Sequence, residues 1–281
     1  MKPHWKSKTP HCVFNSGGAS GIGLEFARRL TMEGADIAIF NRKLAPQVIE
    51  VLKKLAVRSD QQFKTYSADV SDDAATQAAI ADAVRDLGAP DLAINSAGIQ
   101  IAGTFAEQSA ADFDRVIAVN LGGSRNFAAA VLPHMRSGSH LVFVASLAAL
   151  AGTFAYTAYC ASKFGVMGLA SSLRVELKLK NIDVSICCPG EIITPLVIEE
   201  RKTLHPIAAA LKDFGGHQEV DVACDRLLRG IARRHFEIVD GFMPRLTAFT
   251  ARHLPALTRI MTDAIAAKAA KKMAGRDNSI I

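Results

Sequence analysis

The sequence has no long apolar run. Its longest, over residues 141–151, is interrupted by Ser146 and is far shorter than the roughly 20 residues a bilayer-spanning helix needs. No transmembrane helix is expected. Residues 1–10 carry lysines but no following apolar stretch, so a signal peptide is not expected and the segment reads as disordered. Cysteine is scarce: the five residues include no Cys-x-x-Cys pair and make no even framework, which fits a reducing, cytoplasmic setting. Aromatic residues are 6% of the chain, too few for a surface that stacks single-stranded bases. The eight histidines are scattered without a His-x-x-x-His pair, so no metal site is expected. There is no Gly-x-Ser-x-Gly elbow and no Walker A lysine, which argues against a hydrolase or a P-loop kinase.

What is present describes a globular protein. Hydrophobic residues make up 49% of 281 and charged residues 21%, enough to bury a core without staples. The net charge is +6, and the basic excess from Arg226 onward accounts for all of it. A nucleic-acid-binding surface would not load one end of the chain in this way, and no nucleic-acid partner is expected.

Short apolar runs alternate with longer stretches of 3.6-residue periodicity. The pattern predicts strands at 11–15, 36–40, 63–67, 91–94, 141–145, 184–188 and 236–239. Helices are predicted over 21–32, 44–57, 72–87 (capped by Ser71), 111–135, 156–179 and 221–234. The strands are continuously apolar, as when helices cover both sheet faces. The expectation is an α/β fold: a single Rossmann-like, doubly wound parallel sheet over 11–240, with a helical extension over 241–281. Residues 190–218 are poorly periodic and read as a mobile lid.

The first strand runs into Ser16-Gly17-Gly18-Ala19-Ser20-Gly21-Ile22-Gly23. Glycines at 17, 21 and 23 suit a tight turn, a close approach of backbone to phosphate, and close helix–strand packing. The helix start would then offer unpaired N–H groups and a positive dipole end to a pyrophosphate. At the end of the second strand, Asn41-Arg42-Lys43 supplies no carboxylate for a ribose 2′-hydroxyl. A guanidinium there suits a 2′-phosphate, so NADP(H) is favoured over NAD(H).

Tyr159 and Lys163 are four residues apart and share a helix face. A nearby ammonium is expected to stabilise the phenolate and bring the phenol toward neutral pH. Ser146 follows an apolar strand, and Asn120 lies earlier in a helical stretch. In this combination, from about residue 12 to 194, the chain resembles the short-chain dehydrogenase/reductase family. The resemblance places the glycine motif on Ser16, Gly17, Ser20, Gly21, Ile22 and Gly23, and the ribose end on Asn41 and Arg42. It puts the adenine-side pair on Asp69 and Val70. Asn95-Ser96-Ala97-Gly98 matches a turn whose second position is usually asparagine, with Asn95, Ala97 and Gly98 on the cofactor. Pro189, Gly190, Ile192 and Thr194 fall on the nicotinamide side, where Tyr159 and Lys163 also reach.

The resemblance implies a catalytic set of Asn120, Ser146, Tyr159 and Lys163. In it Tyr159 exchanges a proton with a carbonyl oxygen, Ser146 polarises that oxygen, Lys163 bonds the cofactor ribose and Asn120 holds a water. Thr194-Pro195, Glu199-Glu200, His205-Pro206 and residues 236–239 are similar to the 3-ketodihydrosphingosine reductase branch, which acts on a long-chain keto-amine with NADPH. The expected activity is interconversion of a lipophilic ketone and its secondary alcohol. The alternatives are a reductase of a small or steroid-like carbonyl and a non-catalytic dinucleotide-binding redox sensor.

Beyond residue 241, apolar residues at Leu246, Phe249, Leu257 and Ile265 recur at helical spacing beside Arg245, Arg252 and Arg259, with a break expected at Pro255. Three readings stand for this amphipathic tail: packing on the body or on a second subunit of a homodimer or homotetramer, peripheral contact with an anionic membrane, or a cover on the substrate pocket.

Overall fold

The structure, a computed structural model, describes residues 4–6, 8–44 and 46–277. Seven parallel strands form one sheet: β1 (Cys12–Ser16), β2 (Asp36–Asn41), β3 (Phe63–Ser67), β4 (Leu92–Asn95), β5 (His140–Val144), β6 (Asp183–Cys187) and, last in the chain, β9 (Glu237–Ile238). Their order is β3-β2-β1-β4-β5-β6-β9. The chain winds outward from β1 in one direction and then crosses to its other side at β4. A crevice opens where the order reverses, at the carboxyl ends of β1 and β4.

The sheet is apolar on both faces because helices cover both. Phe26 and Leu30 of α1 (Gly21–Met32), Val48 and Leu52 of α2 (Pro46–Leu55), and Leu227 and Ile231 of α9 (Val220–Ala232) fill one core with Val13, Ile37 and Ile94. Ile80 of α3 (Asp73–Leu87), Phe127 of α5 (Gly123–Val131) and Val166 of α6 (Thr157–Lys178) fill the other with Phe14, Phe40 and Phe143.

Four local expectations change. Helix α3 is capped by Asp72, whose carboxylate accepts the Ala75 N–H at 3.0 Å. Ser71 lies one residue before the cap, with its N–H and hydroxyl both donating to Asp69 Oδ1. The helix expected over 111–135 is divided: α4 (Ala110–Ile117) and α5 are joined by a π-helical turn, Ala118–Gly122, with Asn120 in it. One extra residue in a turn re-aims the side chains around it, and such turns are frequent at functional sites.

Residues 190–218 are regular rather than structureless. They form β7 (Glu191–Ile193), α7 (Pro195–Arg201), α8 (Pro206–Gly215) and β8 (His217–Glu219), with β7 and β8 paired in parallel. Thr194 and His205 cap the two helices, each followed by a proline at the first helical position. Ala208 of α8 is buried against Tyr156, which seats the segment on the body.

The tail forms α10 (Phe242–His253) and α11 (Pro255–Asp277), broken before Pro255 as expected. Within the segment read as disordered, Trp5 packs on the core and the Lys6 N–H donates to Ala232 O at 2.9 Å. Residues 1–3 and 7 lie outside the described residues. Among the described residues no helix is long and apolar enough to cross a membrane.

Candidate active site

The site is assembled from loops that leave the carboxyl ends of β1, β2, β4, β5 and β6. After β1, Gly17 turns with φ +73°, and a Cβ on it would lie 2.6 Å from Ala97 N. Only glycine fits where the β1 and β4 loops meet. A Cβ on Gly23 would lie 2.3 Å from Gly17 O, so α1 can rest on its own entry turn only without a side chain there.

Ser16 and Asn95 stand behind this turn. The Ser16 hydroxyl donates to Asn95 Oδ1 at 2.5 Å, and Asn95 Nδ2 donates to Ser124 Oγ at 2.7 Å. Both are buried buttresses rather than groups open to a ligand. Ser96 donates its hydroxyl to Ser16 O, which accounts for serine at a position where the family usually has asparagine. Val70 is likewise interior, packed against Gly123.

These residues fit a dinucleotide. The side chain of Ser20, at the N-cap of α1, makes no capping bond, and the first turn holds no acid. Its N–H groups therefore face the crevice without a carboxylate to compete. Gly21 has φ +52°, and the nearest atom a Cβ there would meet is the Thr194 methyl at 3.4 Å. Asn41 Oδ1, at the end of β2, is buried and without a hydrogen-bond partner, an acceptor left over for a ligand hydroxyl. Arg42 beside it is exposed. The Asp69 carboxyl is held below its usual range, first by the Ser71 hydroxyl and further by the Arg42 charge.

Ser146, Tyr159 and Lys163 come together beyond β5. Tyr159 and Ser146 line the same cavity, and Ser146 Oγ accepts the Ala148 N–H at 3.2 Å. Lys163 is buried, donates to Val144 O at 3.1 Å and lies 5.5 Å from the Tyr159 ring centre. The direction of one shift departs from the sequence reading. Burial pushes the Tyr159 hydroxyl up to about 12, with Ser146 working against it. Burial also brings Lys163 down to about 8.

Asn120 adjoins this group without facing the cavity. Its Oδ1 accepts the Ile99 N–H at 2.8 Å, and its two amide hydrogens go to Ile99 O and Ser162 Oγ. A Cβ on Gly98 would touch both Asn120 Oδ1 (3.2 Å) and Lys163 Nζ (3.5 Å).

A cavity of about 490 Å³ opens over Ser146 and Tyr159, within the usual range for small-molecule sites. Pro189, Gly190, Ile192, Thr194 and Ile22 line its cofactor side. Its far wall comes from the tail: Met243, Leu246 and Thr250 of α10, then Leu257, Met261 and Ile265 of α11. Of the three readings of the tail, the inner face of both helices has the geometry of a pocket cover. Phe242, Phe249 and Ile260 remain exposed on the outside. Tyr156, Gln100, Glu191 and Lys212 also reach the cavity and were not singled out in the sequence. Tyr156 had a signal, standing one helical turn before Tyr159.

A fold of this order, with Ser146, Tyr159 and Lys163 beside the switch-point crevice, has the arrangement of the short-chain dehydrogenase class. The family model for short chain dehydrogenases matches residues 11–205, and the chain belongs to that family. It is similar to the 3-dehydrosphinganine reductase of Danio rerio, 32% identical over 252 residues, covering 86% of this chain and 75% of that one. It is also similar to a Mycobacterium tuberculosis protein named "Probable oxidoreductase EphD", 38% identical over 185 residues. That match covers 65% of this chain but spans only 31% of the mycobacterial protein. Among solved structures, a short chain dehydrogenase from Burkholderia cenocepacia in complex with NADP aligns with a TM-score of 0.72 at 25% identity, covering 83% of this chain and 97% of the other.

Proposed function

We propose that the protein is an NADP(H)-dependent oxidoreductase that interconverts a lipophilic ketone and its secondary alcohol. The observation that carries this is Tyr159 and Ser146 together in the lining of a cavity whose far wall is the apolar face of α10 and α11. The resemblance to 3-dehydrosphinganine reductases supports a keto sphingoid base or another long-chain ketone. Arg42, with no carboxylate at the end of β2, supports NADP(H).

Bound NADPH supplies the hydride that reaches the carbonyl carbon. The chain supplies position and the proton. With its hydroxyl shifted up to about 12, Tyr159 is fully protonated at neutral pH, the state needed to donate to the carbonyl oxygen. Ser146, whose oxygen already accepts from Ala148, has its own O–H to give to the same carbonyl oxygen. The Lys163 ammonium stabilises the tyrosinate left behind and offers its remaining N–H groups to the cofactor ribose. Asn120 holds the turn after β4 in place through Ile99. NADPH oxidation measured against ketones graded by chain length tests the reading. Activity that rises with chain length supports it, and turnover of short ketones alone contradicts it.

The exposed Phe242 and Phe249, flanked by Arg245 and Arg252, favour peripheral contact of the outer tail face with an anionic membrane. Co-sedimentation with anionic vesicles at low salt that is lost at high salt supports that contact. Protein that stays in the supernatant at low salt removes it.

A further inference from the structure

The substrate cavity takes one face of α10. The other face borders a groove of about 810 Å³ between α9, β9 and α10, and the two linings share no residue. Five arginines line the groove: Arg226, Arg229 and Arg233 from α9, and Arg245 and Arg252 from α10. Glu237 is the only acid among the described residues of the lining. Five of the cations that load the C-terminal end of the chain thus meet in one concavity instead of spreading over a surface.

Carboxylates neutralise only part of this charge. Arg252 pairs with Glu237, and Arg229 pairs with Asp225, which also holds Arg29. Arg226 is bonded to the neutral Gln218 at 2.7 Å. Arg245 gives its Nε–H to Val239 O at 3.0 Å and keeps four N–H groups unused. The Arg233 guanidinium has no hydrogen-bond or ion-pair partner among the described residues.

The placing is unfavourable by itself. Arg226, Arg229 and Arg233 follow one face of α9 at spacings of three and four, where like charges repel. Arg245 and Arg252 meet them from α10, over a floor of buried Ile238 and Ala248 that keeps the field from being screened. An anion relieves this strain, and the geometry selects which. A guanidinium fork meets two oxygens at once, as a phosphate presents them. Seven residues of helix rise about 10 Å, so each arginine row is longer than one phosphate and suits a chain of two or more. A lone carboxylate satisfies one arginine and leaves the others unmatched. Exposed Phe242 and Phe249 in the same lining give an apolar flank to whatever carries the phosphates.

We propose that the groove between α9 and α10 is a second binding site, for a ligand carrying a diphosphate or longer phosphate chain, either soluble or at the head of a lipid. Arg226, Arg233 and Arg245 are its contacts. Arg252, through Glu237, ties α10 to β9 and holds the two walls together. The site does not depend on the reductase reading. It shares Arg245 with the tail face that meets membranes, but it asks for phosphate chains, whereas membrane contact asks only for negative charge.

Two binding measurements on the full chain test the site and separate its two sources. The first is calorimetric titration with inorganic tripolyphosphate and with orthophosphate at equal ionic strength. Tripolyphosphate should bind at least ~10-fold more tightly. Arg233→Gln and Arg245→Gln, one on each helix, should each weaken it at least ~10-fold, the loss of a charged hydrogen bond. Both side chains are exposed, so neither variant endangers the fold. Two controls should stay within ~3-fold: Arg42→Ala, in the dinucleotide crevice, and Lys268→Gln with Lys271→Gln, which remove charge from the far end of the tail. The second measurement is co-sedimentation with phosphatidylcholine vesicles carrying diacylglycerol pyrophosphate, against phosphatidylserine vesicles of equal surface charge. Tripolyphosphate binding with this pattern supports a soluble ligand. Retention on the diphosphate vesicles alone, lost in Arg233→Gln, supports a lipid head. Tripolyphosphate binding that Arg42→Ala or the lysine pair weakens as much as the groove variants do overturns the site. So does the absence of tripolyphosphate binding together with equal retention on both vesicles, which leaves membrane contact standing, or with retention on neither.

Discussion

Lys163 stands one helical turn after Tyr159 on α6, its ammonium 5.5 Å from the phenol ring centre and bonded to Val144 O at the end of β5. The two groups are shifted in opposite directions by the same burial, the phenol up to about 12 and the ammonium down to about 8. The free protein thus holds a protonated acid beside a cation that gives up its charge easily.

The lysine shift has a consequence for stability. The folded-state pKa of about 8 lies below the ordinary 10.5, so between those values the unfolded chain holds a proton that the folded chain has lost. Stability must then rise with pH across that window, and the burial penalty is fully present below about pH 8. Urea denaturation of the cofactor-free protein at pH 7.5 and 9.5, compared with Lys163→Met, reads the effect. The variant should be flatter by roughly 1–3 kcal/mol. Parallel curves would mean that Lys163 is not the group responsible.

Arg42 is expected to read the 2′-phosphate. Arg42→Ala should weaken NADPH binding by about 1.5–3 kcal/mol, the contribution of a hydrogen bond to a charged group, and leave NADH nearly unchanged. Fluorescence titration with both cofactors gives the answer. An equal loss for the two would show that the guanidinium does not discriminate between them.

Met261 should set reach rather than chemistry. It lines the far wall from α11, so Met261→Asp places a charge where an alkyl chain would lie. KM for a long-chain ketone should rise at least ~10-fold, since each buried methylene contributes about 0.8 kcal/mol. A short ketone that stops before α11 should change by less than ~3-fold. Equal effects on both would place the chain elsewhere.

The positions of the strands along the chain, the glycine turn and the Tyr159–Lys163 pair were legible because each is a local pattern. Continuous apolar runs mark buried strands, and an i, i+4 pair on a helix meets wherever that helix goes. The lid was not legible: α7 has 7 residues and α8 has 10, both started by proline, too short for periodicity to emerge. The π-helical turn around Asn120 was not legible, since a single extra residue there leaves the surrounding helical pattern intact. The tail's periodicity gave its helices and its break at Pro255. What that face covers depends on α11 packing along α8, a tertiary contact no local pattern encodes. The opposed shifts of Tyr159 and Lys163 come from burial, which spacing cannot report.

The central claim is that Tyr159 is the proton donor in a carbonyl reduction, and Tyr159→Phe tests it most directly. The variant keeps the ring and leaves the Lys163 bond to Val144 O in place, so only the hydroxyl is lost. Turnover of a reducible ketone should fall by about 10²–10⁴-fold, the usual contribution of a positioned acid, while the Kd for NADPH stays within ~3-fold. A variant that binds NADPH normally and retains most of its kcat would contradict the account.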